Sequence, residues 1–306
     1  MKNTRGTSRG NQSTDKRPAA AGRKPVATKR ASTDKKAPTD KKTVTDRDKR
    51  KYIDFKIKVK KGDPLPSFNE DQVRLNKYLS NAGICSRREA DVLIQTGVVS
   101  VNGTIVTELG YKIAPEDVVQ YDGETINAEI KRYVLLNKPK GFITTMDDPR
   151  GRKTVMSLVK KACRERIYPV GRLDRETTGL LLFTNDGDMA KKLTHPRYQA
   201  KKIYHVELNK PVTKEDMERL LRGVDLEDGK TRVDEVSYIE NGNSTEVGVE
   251  IHSGKNRIVR RLFEAMGYVV VKLDRVQFAG LTKKDLPRGY YRHLTEQEVS
   301  FLKMTK

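Results

Sequence analysis

Residues 168–187 read YPVGRLDRETTGLLLFTNDG, and this stretch decides the fold. A short apolar segment leads into Gly171, a polar loop containing Asp174 follows, and the apolar run 179–184 ends at an Asn-Asp-Gly turn. Such a run bounded by turn residues is typical of a buried strand. The pattern predicts a carboxylate in a loop at the mouth of a buried sheet. From composition alone, an Asp in such a loop more often caps a turn than performs chemistry.

The flanking segments predict an α+β domain at residues 132–302. Residues 133–139 are expected to form a buried strand that ends at Pro139. Further strands are expected at 142–145, 179–184, 202–208, 232–239, 245–252, 268–273 and 290–294, and helices at 154–162, 188–194, 214–222 and 256–266. Because strands and helices do not alternate regularly, we expect a largely antiparallel mixed sheet flanked by helices. No GxGxxG or GxxxxGK loop occurs, so nucleotide-cofactor binding is not predicted.

A smaller module is expected at residues 72–128. An apolar stripe with helical spacing ends near Gly83, and Ser86 with Glu89 predicts a capping box that opens a second helix. Asn102-Gly103 then predicts the turn of a short hairpin. The polar side of these helices carries four basic residues: Arg74, Lys77, Arg87 and Arg88. Taken alone, a basic helix face is more often solvated surface than a binding site.

The positive charge is concentrated at the N-terminus. The chain has 306 residues and a formal net charge of +21, and residues 1–61 hold 21 Lys and Arg against six Asp, a net of +15. Such a composition buries too little apolar surface to order itself, so we expect a disordered basic tail at residues 1–70. Either this tail is solvated without a specific partner, or it tethers the protein to a polyanion such as RNA.

Cysteine content and hydropathy exclude other classes of protein. The two cysteines, Cys85 and Cys163, form no CxxC pair, and no apolar run is long enough for a membrane span. We therefore expect a reduced, cytoplasmic monomer with no metal site, no cofactor and no membrane partner.

Two sets of motifs resemble known families. The segments at 74–79, 86–90 and 101–103 resemble the S4 domain, a small module that binds structured RNA. Residues 171–187 closely resemble the catalytic motif of pseudouridine synthases, in the branch that contains RsuA and its large-subunit relatives. Further matches lie at 137–141, 148–152 and 254–257, so that the resemblance covers about residues 72–300.

The resemblance implies a role for individual residues. Asp174 matches the catalytic aspartate, Tyr204 the active-site tyrosine beside the target base, and Arg260 the arginine that pairs with the aspartate. Judged without the resemblance, Tyr204 is an ordinary strand aromatic and Arg260 a solvated member of a basic run. Ile258 departs from the Gln or Glu that family members often have there. RNA contacts are expected from these side chains: Arg74, Lys77, Arg87, Arg88, Arg172, Lys255 and Arg257.

The implied reaction isomerises a uridine of ribosomal RNA to pseudouridine. The uridine leaves the base stack, and Arg172 is expected to fill the vacated space. Asp174 then initiates cleavage of the N1–C1′ bond, either by attack on the sugar or by removal of a sugar proton. The partner is ribosomal RNA or a pre-ribosomal particle, with 23S rRNA favoured over 16S. The alternative from another class is a non-catalytic RNA-binding factor in ribosome assembly.

Overall fold

The structure, a computed structural model, describes residues 72–304. The tail predicted at residues 1–70 lies outside the described residues. Among the helices within residues 72–304, none is long and apolar enough to cross a membrane.

Two short helices and a small sheet come first. The helices of this first region are α1 (Leu75–Asn81) and α2 (Arg87–Gln95). Its strands are β1 (Val73–Arg74), β2 (Val99–Val101), β3 (Thr104–Ile105), β4 (Lys112–Ile113), β5 (Val119–Tyr121) and β6 (Glu124–Thr125). Strands β3, β2, β5 and β6 pair in that order, and β1 pairs with β4. The last three strands were not predicted, because each is only two or three residues long.

Local sequence signals in this region are confirmed. The Ser86 hydroxyl accepts a hydrogen bond from the Glu89 N–H, and the Glu89 carboxylate accepts one from the Ser86 N–H. This is the predicted capping box, and it satisfies two N–H groups that the first turn of a helix leaves unpaired. Asn102 and Gly103 both have positive φ, 51° and 78°, as the predicted two-residue hairpin turn requires.

A nine-stranded sheet dominates the rest of the chain. Its strands are β7 (Tyr133–Lys138), β8 (Tyr168–Pro169), β9 (Thr178–Thr184), β10 (Lys202–Leu208), β11 (Glu235–Tyr238), β12 (Glu246–Ile251), β13 (Val270–Phe278), β14 (Leu281–Thr282) and β15 (Tyr291–His293). The main order is β11-β12-β10-β13-β9-β7-β15, with β14 beside β13 and β8 beside β9. Only the β9–β13 pair is parallel among the described strands. The α+β fold with a largely antiparallel mixed sheet is confirmed.

The centre of this sheet is buried on both faces. Leu135, Leu180 and Leu182 belong to one apolar cluster, and Leu136 and Leu181 belong to another. Alternate residues of a strand point to opposite faces, so the two clusters cover the two sides of β7 and β9. This explains the uninterrupted apolar runs in the sequence and places the loop before β9 at the end of the best-packed part of the molecule.

The helices of this region follow the prediction except for the first and the last. They are α3 (Met156–Val159), α4 (Gly187–Thr194), α5 (Lys214–Arg222), α6 (Ile258–Glu264) and α7 (Glu296–Met304). Residues 154–162 form an α-helix for one turn only, because i→i+3 hydrogen bonds at both ends tighten the chain. Residues 142–145 form no strand, since only Ile143 makes an isolated bridge, to Thr154.

Helix α7 was not predicted, although its start signal is present. The Thr295 hydroxyl accepts from the Glu298 N–H, and the Glu298 carboxylate accepts from the Thr295 N–H. This second capping box precedes a segment whose apolar residues are spread around the helix and form no single stripe: Val299, Phe301, Leu302 and Met304. Strand β13 also runs five residues beyond its predicted end, because Asp274 and Arg275 are buried with specific partners.

Candidate active site

A cavity of about 670 Å³ opens beside the loop between β8 and β9. Asp174 lies in this loop and lines the cavity, with its side chain one-third exposed. The Asp174 carbonyl accepts a hydrogen bond from the Thr177 N–H at 3.1 Å, which closes a turn directly before β9 begins. The carboxylate is therefore held on a short turn at the end of a rigid strand, as the sequence predicted.

Lys138 holds this turn from inside the protein. Its side chain is fully buried, and its Nζ donates to the carbonyls of Asp174 at 3.0 Å and Thr177 at 2.8 Å. A third bond reaches the Arg175 carbonyl at 3.3 Å. Burial lowers the pKa of Lys138 to about 8, and the Asp174 carboxylate opposes that shift. The ammonium group thus gathers the carbonyls of the turn, which leaves the Asp174 side chain to face the cavity.

The segment after β7 supports the same turn from a second side. The Thr144 hydroxyl donates to the Leu173 carbonyl at 2.8 Å and accepts from the Leu173 N–H at 3.2 Å. The Gly141 N–H donates to the Arg175 carbonyl at 2.9 Å. The motif at 137–141 does not by itself indicate these contacts. A lone Lys at the end of an apolar strand was the signal that could have identified Lys138.

Tyr204 lines the same cavity as this turn. It is half-buried on β10 and lines the cavity with Asp174. Its neighbour in the register of the adjacent strand β13 is Arg275. Directly opposed residues in antiparallel strands share a face, so both side chains point to the same side of the sheet. The structure thus brings the predicted aspartate and tyrosine to one cavity.

The arginine at ion-pair distance from Asp174 is not the one that was expected. Within the described chain, Asp174 makes its ion pair with Arg257, whose guanidinium lies 3.9 Å from the carboxylate. Arg260 is 9 % exposed, its Nη1 donates to the Val270 carbonyl at 2.9 Å, and its Nε has no partner among described residues. Burial lowers the pKa of Arg260, Arg257 adds to that effect, and Asp174 opposes it. The expected pair of Arg260 with Asp174 is not within ion-pair distance, because α6 turns this side chain toward β13.

The other predicted RNA-binding residues fall into two groups. Arg172 lines the cavity as an exposed side chain. Arg257 also lines it and makes ion pairs with Asp174 at 3.9 Å and with Glu264 at 3.5 Å. The Lys255 Nζ is held at 3.0 Å by the Asp228 carbonyl. In the first region, Arg74, Arg87 and Arg88 are exposed. Lys77 instead pairs with Asp188 at 2.7 Å, an ion pair internal to the protein. The structure leaves most of these cations available and occupies Lys77 and Lys255.

The cavity has a cationic lining. Seven basic side chains line it: Arg152, Arg172, Arg175, Lys202, Lys255, Arg257 and Arg275. Three carboxylates accompany them, and Asp148 is engaged by Arg152 through two hydrogen bonds of 2.6 and 3.1 Å. In the described part of the chain, no group of three or more His, Cys, Asp or Glu could hold a metal ion. This arrangement suits a polyanionic substrate that presents a reacting carbon to one carboxylate.

Comparisons with known proteins agree with this geometry. Residues 132–265 match the family model of RNA pseudouridylate synthase, and residues 73–119 match the S4 domain. Ribosomal large subunit pseudouridine synthase B of Bacillus subtilis is 43% identical over 233 residues, which is 75% of this chain and 95% of the relative. The protein of the same name from Vibrio cholerae is 41% identical over 75% of this chain and 74% of its own length.

A solved structure described as a pseudouridylate synthase crystal structure is also similar. It is 29% identical with a TM-score of 0.54, over 75% of this chain and 99% of that chain.

Proposed function

Because this chain belongs to the RNA pseudouridylate synthase family and carries an S4 domain, we propose that it isomerises one uridine of 23S ribosomal RNA to pseudouridine. The relatives from Bacillus subtilis and Vibrio cholerae are named large-subunit enzymes, and this supports the choice of the large subunit. A cytoplasmic monomer that works on ribosomal RNA or a pre-ribosomal particle is part of the same proposal.

In the proposed reaction, Asp174 acts on the sugar of a uridine that has left its base stack. The N1–C1′ bond breaks, either by attack of the carboxylate on C1′ or after removal of a sugar proton. The detached uracil rotates, C5 bonds to C1′, and the proton on C5 is lost while N1 gains one. Product and substrate therefore have the same atoms, and no electron donor or acceptor is consumed.

The remaining site residues are assigned to positioning and binding. Tyr204 is proposed to hold the uracil ring, and its place in the same cavity as Asp174 supports this role. Arg260 is proposed to stabilise the charge of Asp174 from behind the cavity wall. Arg172, proposed to occupy the space that the flipped base leaves, is exposed at the rim of the cavity.

The observation that carries the proposal is the position of Asp174. Its turn is held by the buried Lys138 ammonium, and its carboxylate faces a cationic cavity that also contains Tyr204. A turn cap needs neither a buried cation beneath it nor a cavity in front of it. A preorganised carboxylate in a site of opposite charge is what a reaction on an RNA sugar requires.

The test is pseudouridine mapping by carbodiimide adducts and primer extension. Ribosomal RNA would come from a deletion strain that lacks this protein and is complemented with one of three forms of it: the wild type, Asp174→Asn or Asp147→Asn. Asp147 is a matched control because it also lines the cavity but is an exposed loop residue. We expect pseudouridine at one 23S site in cells that carry the wild type or Asp147→Asn. In cells that carry Asp174→Asn, the same site should remain uridine.

The other outcomes identify the alternatives. A dependent site in 16S rRNA would keep the reaction and correct the subunit. If no site depends on the protein, or if Asp174→Asn restores the site fully, the catalytic role is wrong and a non-catalytic assembly factor replaces it.

A further inference from the structure

Arg275 is a buried cation without a counter-charge in the described chain. It is 3 % exposed, yet it lines the active-site cavity. Its Nε donates to the Leu180 carbonyl at 2.8 Å, its guanidinium lies 4.5 Å from the centre of the Phe278 ring, and its Nη2 is buried without a partner among described residues. Buried polar groups in folded proteins are almost always hydrogen-bonded, so an unpartnered guanidinium nitrogen needs an explanation.

Lys202 is a second cation on the same side of the sheet. It lies two residues before Tyr204 on β10, and alternate strand residues share a face. Its Nζ donates to the His252 carbonyl at 2.6 Å and makes no ion pair within residues 72–304. Burial lowers the pKa of Lys202 to about 8, and the charge of Arg275 adds to that effect. Asp234 opposes the shift. Both cations line the same cavity.

The carboxylates nearby are already engaged elsewhere. Asp274 faces away from Arg275 along β13 and accepts from the Thr178 hydroxyl and from Lys283. Asp234 accepts from the His252 imidazole at 2.7 Å. In the cavity itself, Asp174 pairs with Arg257. No described carboxylate lies within ion-pair distance of Lys202 or Arg275.

Two cations that line one partly buried cavity, neither with a counter-charge among the described residues, are unfavourable unless an anion binds there. Arg275 donates one hydrogen bond, to the Leu180 carbonyl, and Lys202 donates one, to the His252 carbonyl. Most N–H groups of the two side chains are therefore unused. The substrate of the proposed function brings its own anions, since each nucleotide of RNA carries a phosphate on either side of its sugar. An arginine fork beside a lysine is a geometry that proteins use to bind phosphate.

We infer that Lys202 and Arg275 form a phosphate subsite that binds a phosphodiester group next to the target uridine. This inference rests on the proposed function and deepens it, because it assigns a contact that orients the flipped nucleotide between Tyr204 and Asp174. The two residues are positioning residues and take no part in bond breaking. A phosphate held there would fix the sugar relative to the carboxylate, which is the geometry that the reaction depends on.

The experiment measures RNA binding in an Asp174→Asn background, so that no turnover is needed. The variants are Lys202→Met, Lys202→Arg and Arg275→Lys. The control is Lys201→Met, because Lys201 is the exposed neighbour, pairs with Glu250 and does not line the cavity. The probes are a minimal ribosomal RNA hairpin and two copies of it, each with an uncharged methylphosphonate on one side of the target uridine.

We expect one methylphosphonate to weaken binding about tenfold when Lys202 is present, as for loss of a charge-assisted hydrogen bond. With Lys202→Met, the unmodified RNA should bind about tenfold more weakly, and the same methylphosphonate should add less than a further twofold. Lys202→Arg should restore most of the affinity, and Arg275→Lys should show the same loss of sensitivity.

The inference is overturned if Lys202→Met binds all three RNAs like Lys201→Met. It is also overturned if each methylphosphonate costs the same factor with and without Lys202, since the phosphate then binds elsewhere. A loss of thermal stability in Lys202→Met together with unchanged RNA binding would identify a purely structural lysine. Because binding is read without turnover, a negative result in the mapping experiment and a negative result here remain distinguishable.

Discussion

The Asp174 carboxylate is positioned by a residue that never touches the cavity. The Lys138 ammonium binds the carbonyls of Asp174 and Thr177, so the backbone of the turn is held while the Asp174 side chain stays free. A buried cation is unfavourable unless its donors are satisfied, and here the carbonyls of the turn satisfy them. The two features stabilise each other, which explains why a Lys is tolerated at the end of an otherwise apolar strand.

Replacement of Lys138 by Met tests this arrangement. Met fills the same apolar space but donates no hydrogen bond, so the turn loses its internal anchor. We expect the single-turnover rate to fall about a hundredfold, as for a displaced catalytic group, while RNA affinity changes less than about threefold. Lys140→Met is the matched control, because Lys140 is exposed and its ion-pair partner among residues 72–304 is Glu176 alone. Equal effects of the two substitutions would contradict the positioning role.

Two arginines near Asp174 differ in their distance from its carboxylate and in their burial, and both properties affect how strongly each interacts with it. Arg257 is closer to the carboxylate, at 3.9 Å, but its side chain is 47% exposed, so solvent screens the interaction. Arg260 is farther but buried, where charges interact more strongly. We expect Arg260→Gln to lower the single-turnover rate more than about tenfold, with Arg257→Gln mainly weakening RNA binding.

Single-turnover rates at saturating RNA, together with dissociation constants, separate the two effects. Arg261→Gln is the control, because this residue lies on the same helix and is engaged by Asp228. The reverse order, with the larger rate loss in Arg257→Gln, would make Arg257 the partner of the catalytic carboxylate.

At the scale of elements, one strand contact connects the two halves of the sheet. Strands β9 and β13 form the parallel pair, in register at Gly179 and Arg275. A Cβ at Gly179 would lie 2.3 Å from the Arg275 carbonyl oxygen, and Gly179 has a φ of 103°. Only glycine permits this approach, which brings the Asp174 turn beside the strand that carries Arg275.

Gly179→Ala should therefore destabilise the protein by about 2–5 kcal/mol, through backbone strain and a clash with main-chain atoms. Urea denaturation followed by circular dichroism measures this change in the free energy of unfolding. Gly254→Ala is the control, because a Cβ there meets no atom within 4 Å and its φ is not positive. A loss below about 0.5 kcal/mol for Gly179→Ala would show that the strands can separate without cost.

At the scale of the whole molecule, charge is distributed unevenly along the chain. Residues 1–61 carry a net charge of +15, which leaves +6 for the other 245 residues. Each phosphate that a protein neutralises steepens the fall of affinity with salt. We therefore expect the basic segment to add to affinity for any RNA, and the cavity around Asp174 to select the nucleotide.

Removal of residues 1–61 should make the plot of log affinity against log salt shallower and should leave the modified position unchanged. Fluorescence anisotropy with the target hairpin and an unrelated hairpin, between about 50 and 200 mM salt, measures this slope. Counterion release sets the slope, because it depends on the number of phosphates that the protein neutralises. A chain of full length with the Lys and Arg of this segment replaced by Gln is the control for length. If deletion shifts the modified position, the segment takes part in target choice.

Much of the fold could be predicted from local signals. The capping box at Ser86, the hairpin turn at Asn102 and the buried strand before Asn185 were correct, because each depends on residues close in the chain. The strand at 142–145 was wrong, and the extension of β13 was missed. Both depend on partners far away in sequence: Thr144 binds the backbone of Leu173, and Asp274 binds Thr178.

The sequence by itself determined the class of the protein, the turn that carries Asp174 and the family to which the chain belongs, because these rest on short contiguous motifs. The tertiary structure decided which charges meet. It placed the Lys138 ammonium beneath the turn, set Arg257 rather than Arg260 at ion-pair distance from Asp174, and brought Lys202 and Arg275 to the same cavity. These contacts depend on strand register and burial, since the strength of a charge is set by the solvent and partners around it, and a linear sequence does not contain that information.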